Sequence, residues 1–294
     1  MPLALRFCVL ATFLVLVVLV ALRWLNQVSV FPPTNKDASL APRLAKTYPD
    51  VRELHFNAQD GQPLYGWLQG RDDAPIKILQ AMGNAEYVGP SAALYQETSA
   101  FLGAQFLLFD YRGFANSAGR PSEAGLAADI RGAYAYAVDT LKWRPSQVVV
   151  WGRSLGGGPA TRLVADLLAD TPRPGLEHGG KPRALLLEAA FTSIPDMAII
   201  AMPQLGVPQW LCYSLFDNLG RAPELQLPVL HWQGDADDII PFAQGQELFA
   251  ALPGPKQFLR LQGTQHNNIW DDSARAQTIR ETIARFLAQY PEKR

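Results

Sequence analysis

Gly152-Arg153-Ser154-Leu155-Gly156 fits the pattern G-x-S-x-G and follows directly on Val148-Val149-Val150-Trp151. A serine hydroxyl is protonated and weakly nucleophilic near neutral pH, so it needs a base to attack a carbonyl. A sharp turn from strand to helix would lift its Oγ clear of the sheet edge. Glycines on either side would let strand and helix pass closely without a clashing Cβ, and the helix N-terminus would bring N–H groups beside the reacting centre. The chemistry this suits is nucleophilic attack on an acyl group.

Of the four histidines, His55 falls in the first strand pattern and His178 in a Gly/Pro-rich stretch. His231 sits inside an apolar strand and reads as a core histidine with satisfied nitrogens. His266 lies in Gly263-Thr-Gln-His-Asn-Asn, a loop directly after a strand late in the chain, and is the candidate base. The base needs an acid to fix its tautomer. Gly234-Asp-Ala-Asp-Asp-Ile-Ile-Pro offers Asp235, Asp237 and Asp238, and turns after strands commonly use such residues as caps. An oxyanion hole would pair the N–H of Leu155 with one from the loop Gly83-Asn84-Ala85 after an earlier strand.

The elements that must position these residues follow from apolar spacing. Strands are expected at 51–57 and 63–69, as a hairpin across Asp60-Gly61, and at 76–82, 105–110, 148–151, 184–191, 227–234 and 256–262. Helices are expected at about 90–103, from an N-cap at Ser122 to about 141, at 156–168 and at 273–289. This alternation implies an α/β protein, a mostly parallel sheet with helices on both faces. Residues 171–182 read as a surface insertion. The apolar segment 192–222, with Met197, Ile200, Leu205, Trp210, Leu211, Leu215 and Phe216, reads as helices on the sheet or as a lid.

With 294 residues, 48% of them apolar, a sizeable core is available. The 26 Lys and Arg balance 27 Asp and Glu without a basic stripe, which argues against nucleic acid as a partner. Cys8 and Cys212 form no ligand or disulfide pattern, and no cofactor or metal is implied. Phe7 to Leu22 carry no charge, Arg6 and Arg23 bracket them, and no small-x-small cleavage site follows. A single-pass N-terminal membrane anchor, helical over about 7–25 within residues 1–30, is expected. A Pro-containing linker at 31–48 and a catalytic domain at 49–294 complete the expected organisation.

The stretches MGNA (82–85), FDYRGFANSAGRPSEAGLAAD (109–129), WGRSLGGGPA (151–160), EAAFTSIPDMA (188–198), HWQGDADDIIPF (231–242) and GTQHNN (263–268) resemble the α/β-hydrolase superfamily. The resemblance is to its membrane-anchored serine hydrolases, including depalmitoylase-, lysophospholipase- and monoacylglycerol-lipase-like members. It implies an eight-stranded sheet with an antiparallel N-terminal hairpin and a triad in the order Ser154, Asp237, His266. Asp237 stands where the family places its acid, three residues after the strand-ending Gly and before an acidic-aliphatic-aliphatic-Pro run. The oxyanion donors it implies are the N–H groups of Leu155 and Asn84. Where the family usually has a histidine before Gly-Asn, this chain has Met82. The implied activity is hydrolysis of a carboxylic ester or thioester, with a lipid-like acyl group as substrate. A peptidase or amidase on the same fold and a non-catalytic membrane-tethered scaffold are the other readings.

Overall fold

Eight runs rich in Val, Leu, Ile and aromatic residues pair into one sheet in this computed structural model, which describes residues 2–31, 39–48, 50–169, 176, 180–201 and 215–292. Among these, the side chains of 3–5, 22–29 and 201 are outside the description. The strands are β1 (Val51–Asn57), β2 (Pro63–Gln69), β3 (Ile76–Ala81), β4 (Ala104–Phe109), β5 (Val148–Arg153), β6 (Ala184–Glu188), β7 (Val229–Gly234) and β8 (Lys256–Leu261). Their order is β1-β2-β4-β3-β5-β6-β7-β8. β1 and β2 form the expected antiparallel hairpin, β2 runs antiparallel to β4, and every other neighbouring pair is parallel.

The helices are α1 (Leu3–Val30), α2 (Leu40–Ala45), α3 (Ala92–Leu102), α4 (Glu123–Ala135), α5 (Gly157–Leu168), α6 (Ile194–Ala201), α7 (Asn218–Arg221), α8 (Phe242–Ala251) and α9 (Ser273–Gln289). Alternate residues of a strand face opposite sides. Val148 and Val150 of β5 therefore join a core with Leu126, Leu163 and Leu248 of α4, α5 and α8. Val149 and Trp151 join a second core with Tyr95 of α3 and Ile279, Ile283 and Phe286 of α9. Burial on both faces is why the central strands read as continuous apolar runs rather than as alternating ones.

Three expectations need revision. The helix from Ser122 does not run regularly to 141. Ser122 Oγ caps it by accepting from Gly125 N at 3.0 Å, but α4 ends at Ala135 and passes into a π-helical turn, Tyr136–Thr140. The 31–48 stretch is more than a linker: Phe31 is buried, and α2 buries Ala41 and Ala45. Two small residues four apart were too weak an apolar signal to reveal a helix. Strand β6 stops at Glu188 rather than at 191, since Ala189 turns to φ +46°.

Residues 32–38 of the stretch, 202–214 of the apolar segment with Leu205, Trp210, Leu211 and Cys212, and His178 lie outside the described residues. Of the apolar segment's described residues, Phe216 is buried and Met197 packs against the core, while Ile200 and Leu215 stay exposed. Among the described residues no helix is long and apolar enough to cross a membrane. The expected span at about 7–25 runs past Ala21, where description of the α1 side chains pauses. From Phe7 to Val20 the large apolar side chains of α1 other than the half-buried Leu19 are exposed, between 46% at Val17 and 67% at Val20.

Candidate active site

One 3-10 turn, Ser154–Gly156, is all that separates β5 from α5. The reversal holds Ser154 at φ +50°, a left-handed backbone that costs a residue with a side chain on the order of 1–3 kcal/mol. The glycines are steric necessities. A Cβ on Gly152 would lie 2.8 Å from the Gly157 Cα, and one on Gly156 only 2.0 Å from the Ala81 carbonyl oxygen. At Gly158 a Cβ would meet the Phe216 ring at 2.3 Å. Ser154 thus stands at the N-terminal approach to α5, between strand ends, with its side chain partly exposed.

Two loops at the same edge of the sheet bring the other candidates to it. His266, after β8, has Nε2 3.0 Å from Ser154 Oγ and Nδ1 2.8 Å from Asp237 Oδ2. Asp237, after β7, accepts on its other oxygen from the N–H groups of Ile239 at 3.0 Å and Ile240 at 2.8 Å. The Asp237 side chain is wholly buried and that of His266 is 6% exposed, so the relay is shielded from water. The remaining aspartates do other work. Asp235 accepts from Arg260 Nε at 2.8 Å and from Gly263 N at 2.7 Å, closing the turn after β8. Asp238 Oδ1 accepts from the backbone N–H of His266 at 3.3 Å.

The loop after β3 lies against the serine: a Cβ on Gly83 would be 3.5 Å from that of Ser154. Within this loop Gly83 N donates to Glu86 Oε2 at 2.6 Å, Ala85 N to Asn84 Oδ1 at 3.0 Å, Glu86 N to the Gly83 carbonyl at 3.3 Å and Val88 N to Asp110 Oδ1 at 2.7 Å. The N–H groups of Asn84 and Leu155 have no acceptor among the described residues. The Asn84 carboxamide also donates to the Val30 carbonyl, at the end of α1, at 3.0 Å. Met82, just before, is buried in the core that holds Trp151.

Three charged neighbours were not singled out from the sequence. Arg153 is ion-paired with Glu86, and its Nε lies 3.2 Å from Glu188 Oε1. Glu188 ends β6 opposite Arg153 in the β5–β6 register and is 1% exposed. The indole N–H groups of Trp151 and Trp270 donate to it at 3.1 and 2.8 Å. Burial pushes the Glu188 carboxyl above the usual range, with Arg153 opposing most strongly. The sequence signals were an arginine in the variable position of G-x-S-x-G and a glutamate closing an apolar strand.

The Tyr111-Arg112-Gly113-Phe114 stretch is structural. Arg112 forks onto Asp60 of the β1–β2 turn with both bonds at 2.7 Å, and its Nε holds Asp129 of α4 at 2.7 Å. Burial pushes Asp129 up to about 6 against the pull of Arg112, whose hydrogen bond lowers Asp60. His231 is buried as expected, but neither ring nitrogen has a hydrogen-bond partner among the described residues, contrary to the satisfied core histidine expected.

No protein-family model matches the chain. An uncharacterised protein of Mycobacterium tuberculosis is 30% identical over 254 residues, 86% of this chain and 84% of that protein. Alpha/beta hydrolase domain-containing protein 17B of Xenopus tropicalis is 27% identical over 197 residues, 67% of this chain and 62% of that one. Among solved structures, the Pyrococcus furiosus esterase Pf2001 superposes with a TM-score of 0.64 at 14% identity, over 82% of this chain and 90% of the other. Relatives of this extent, with the eight-stranded order and the strand–turn–helix around Ser154, show that the chain belongs to the α/β-hydrolase superfamily.

Proposed function

We propose that this protein is a serine hydrolase that cleaves a carboxylic ester or thioester, with a lipid-like acyl group, through an acyl-enzyme. The observation that carries the reading is the continuous relay Asp237–His266–Ser154, with 2.8 and 3.0 Å links, at a backbone bend held at φ +50°. Ser154 Oγ attacks the acyl carbonyl while His266 Nε2 takes its proton, and Asp237 keeps the Nδ1–H tautomer and steadies the imidazolium. The oxyanion of the tetrahedral intermediate is met by the Leu155 and Asn84 N–H groups, both without acceptors among the described residues. Collapse expels the alcohol or thiol, which takes its proton from His266. Water then attacks the acyl-enzyme by the same route in reverse and releases the acid.

The ester reading is supported by the relatives' hydrolase name and by likeness to an esterase. The lipid-like acyl group is supported by the exposed Ile199, Ile200 and Leu215 of the segment after β6, and by α1. We assign α1 as a bilayer anchor because its apolar side chains from Phe7 to Val20, nearly all exposed, leave no polar face. The test is Ser154→Ala. It should abolish fluorophosphonate labelling and hydrolysis of p-nitrophenyl esters, with turnover rising with acyl length in the wild type and aminoacyl anilides left intact. Labelling of the alanine variant at the wild-type rate would refute the nucleophile.

A further inference from the structure

The side chain in the variable position of G-x-S-x-G has a task of its own. Arg153 leaves the strand that ends at the nucleophile and bridges two carboxylates on two other elements. Glu188, on β6, is buried and further fixed by two indole N–H groups. Glu86 belongs to the loop after β3, and its second oxygen accepts from Gly83 N at 2.6 Å. The side chains of Arg153 and Glu86 are 14% and 17% exposed, so solvent screens their pair far less than a surface one. The guanidinium faces a carboxylate on each side, which leaves no charge for binding an anionic substrate.

We propose that the Glu86–Arg153 ion pair positions the oxyanion loop. Arg153, braced by Glu188, holds Glu86. Glu86 consumes the N–H of Gly83, and the N–H of Asn84 is left as the donor presented at Ser154. Glu86 and Arg153 touch neither substrate nor reacting atoms in this scheme and are positioning residues. The inference rests on the serine-hydrolase reading above and adds to it how the second oxyanion donor is selected and held.

The experiment compares Glu86→Ala, Glu86→Gln and Arg153→Lys with the wild type and Ser154→Ala, using the full chain in detergent micelles and p-nitrophenyl butyrate. Loss of a single oxyanion donor lowers kcat by about 10²–10³. Misplacing one should cost less, so Glu86→Ala should lower kcat by about 10- to 100-fold with KM within about twofold. Affinity for an alkyl trifluoromethyl ketone, which forms the tetrahedral adduct on serine, should fall by the same factor as kcat. Glu86→Gln should recover part of the loss, because its amide oxygen still accepts from Gly83. The melting temperature of Glu86→Ala should stay near the wild-type value.

Wild-type kcat in Glu86→Ala beside an inactive Ser154→Ala would overturn the positioning role and leave the hydrolase reading standing. A fall in kcat without a matching fall in ketone affinity would overturn it too. An active Ser154→Ala would instead remove the parent reading. Should Glu86→Ala fail to fold, Glu86→Gln and Arg153→Lys carry the same comparison of kcat with ketone affinity.

Discussion

Asp237 serves two structures with its two oxygens. One faces the His266 ring, and the other gathers the N–H groups of Ile239 and Ile240. An asparagine there would present an amide to the ring or to those N–H groups and force the wrong tautomer. We expect Asp237→Asn to lower kcat by about 10⁴. Asp235→Asn, which touches only Arg260 and the Gly263 turn, should cost less than about tenfold, or ~1.4 kcal/mol of barrier. Steady-state kinetics of the two variants separate them. His231 gives a second test, of stability. Fully buried beside Phe258 and without a partner for either nitrogen among the described residues, it is pulled from 6.5 down to about 3 by desolvation. The unfolded chain therefore binds the proton first. Stability from the neutral ring is complete above pH 6.5 and is lost as pH falls towards 3, at up to about 1.4 kcal/mol per pH unit. His231→Leu should lose less stability than the wild type between pH 8 and pH 5 in urea titrations. Equal losses would mean the histidine titrates normally.

Among the elements, the strand–turn–helix from β5 to α5 binds the site to its surroundings. Gly158 is in it because the Phe216 ring occupies the place of a Cβ, and Phe216 meets Phe31 edge to face at 6.1 Å. Gly158→Ala should destabilise the fold by about 1–3 kcal/mol through overpacking. In a chain that already carries Phe216→Ala, the same glycine change should cost markedly less, as read by denaturant midpoints in a double-mutant cycle. How legible such elements were depends on how local their causes are. The strands around Val148–Trp151 and Leu185–Leu187 announced themselves because two-sided burial leaves unbroken apolar runs. The final helix showed its face through Ile279, Ile283 and Phe286. The serine turn and the His266 loop were readable from glycine spacing and chain order, and the structure brings both side chains to one sheet edge. Choosing among Asp235, Asp237 and Asp238 needed the resemblance, since all three lie in one four-residue stretch and differ only in where the turn points them. The Glu86–Arg153–Glu188 bridge was invisible because it depends on the register of β5 with β6 and on the curl of a loop. The π-helical end of α4 and helix α2 were missed for lack of any strong periodic signal.

On the scale of the whole chain, α1 is rooted in the catalytic unit rather than hung from it. Val30 packs against the core, its carbonyl accepts from Asn84, and Phe31 is buried. Burial of the exposed Phe, Leu and Val side chains in lipid at about 25 cal/mol per Å² would hold the protein at a bilayer without involving the sheet. We expect deletion of residues 2–29 to move the protein to the soluble fraction, with hydrolysis of a short ester kept within a few-fold. Deletion of 2–31, which also removes Val30 and Phe31, should cut that rate further. Loss of all short-ester turnover in the first deletion would place α1 in the catalytic unit itself. The sheet order carries a last consequence. From β5 onward, neighbours in space are neighbours in sequence, so Ser154, Asp237 and His266 hang from strands laid down one after another, with β8 and α9 at the finish. Synthesis runs from the N-terminus, and the hydrophobic α1 emerges long before the strand before His266. On the anchor reading proposed above, a nascent chain would reach a membrane while Ser154 still lacks the His266 ring beside it. On the serine-hydrolase reading, hydrolysis would begin only once β8 and the His266 loop have docked beside β7, so the order of synthesis would itself keep a half-made chain silent.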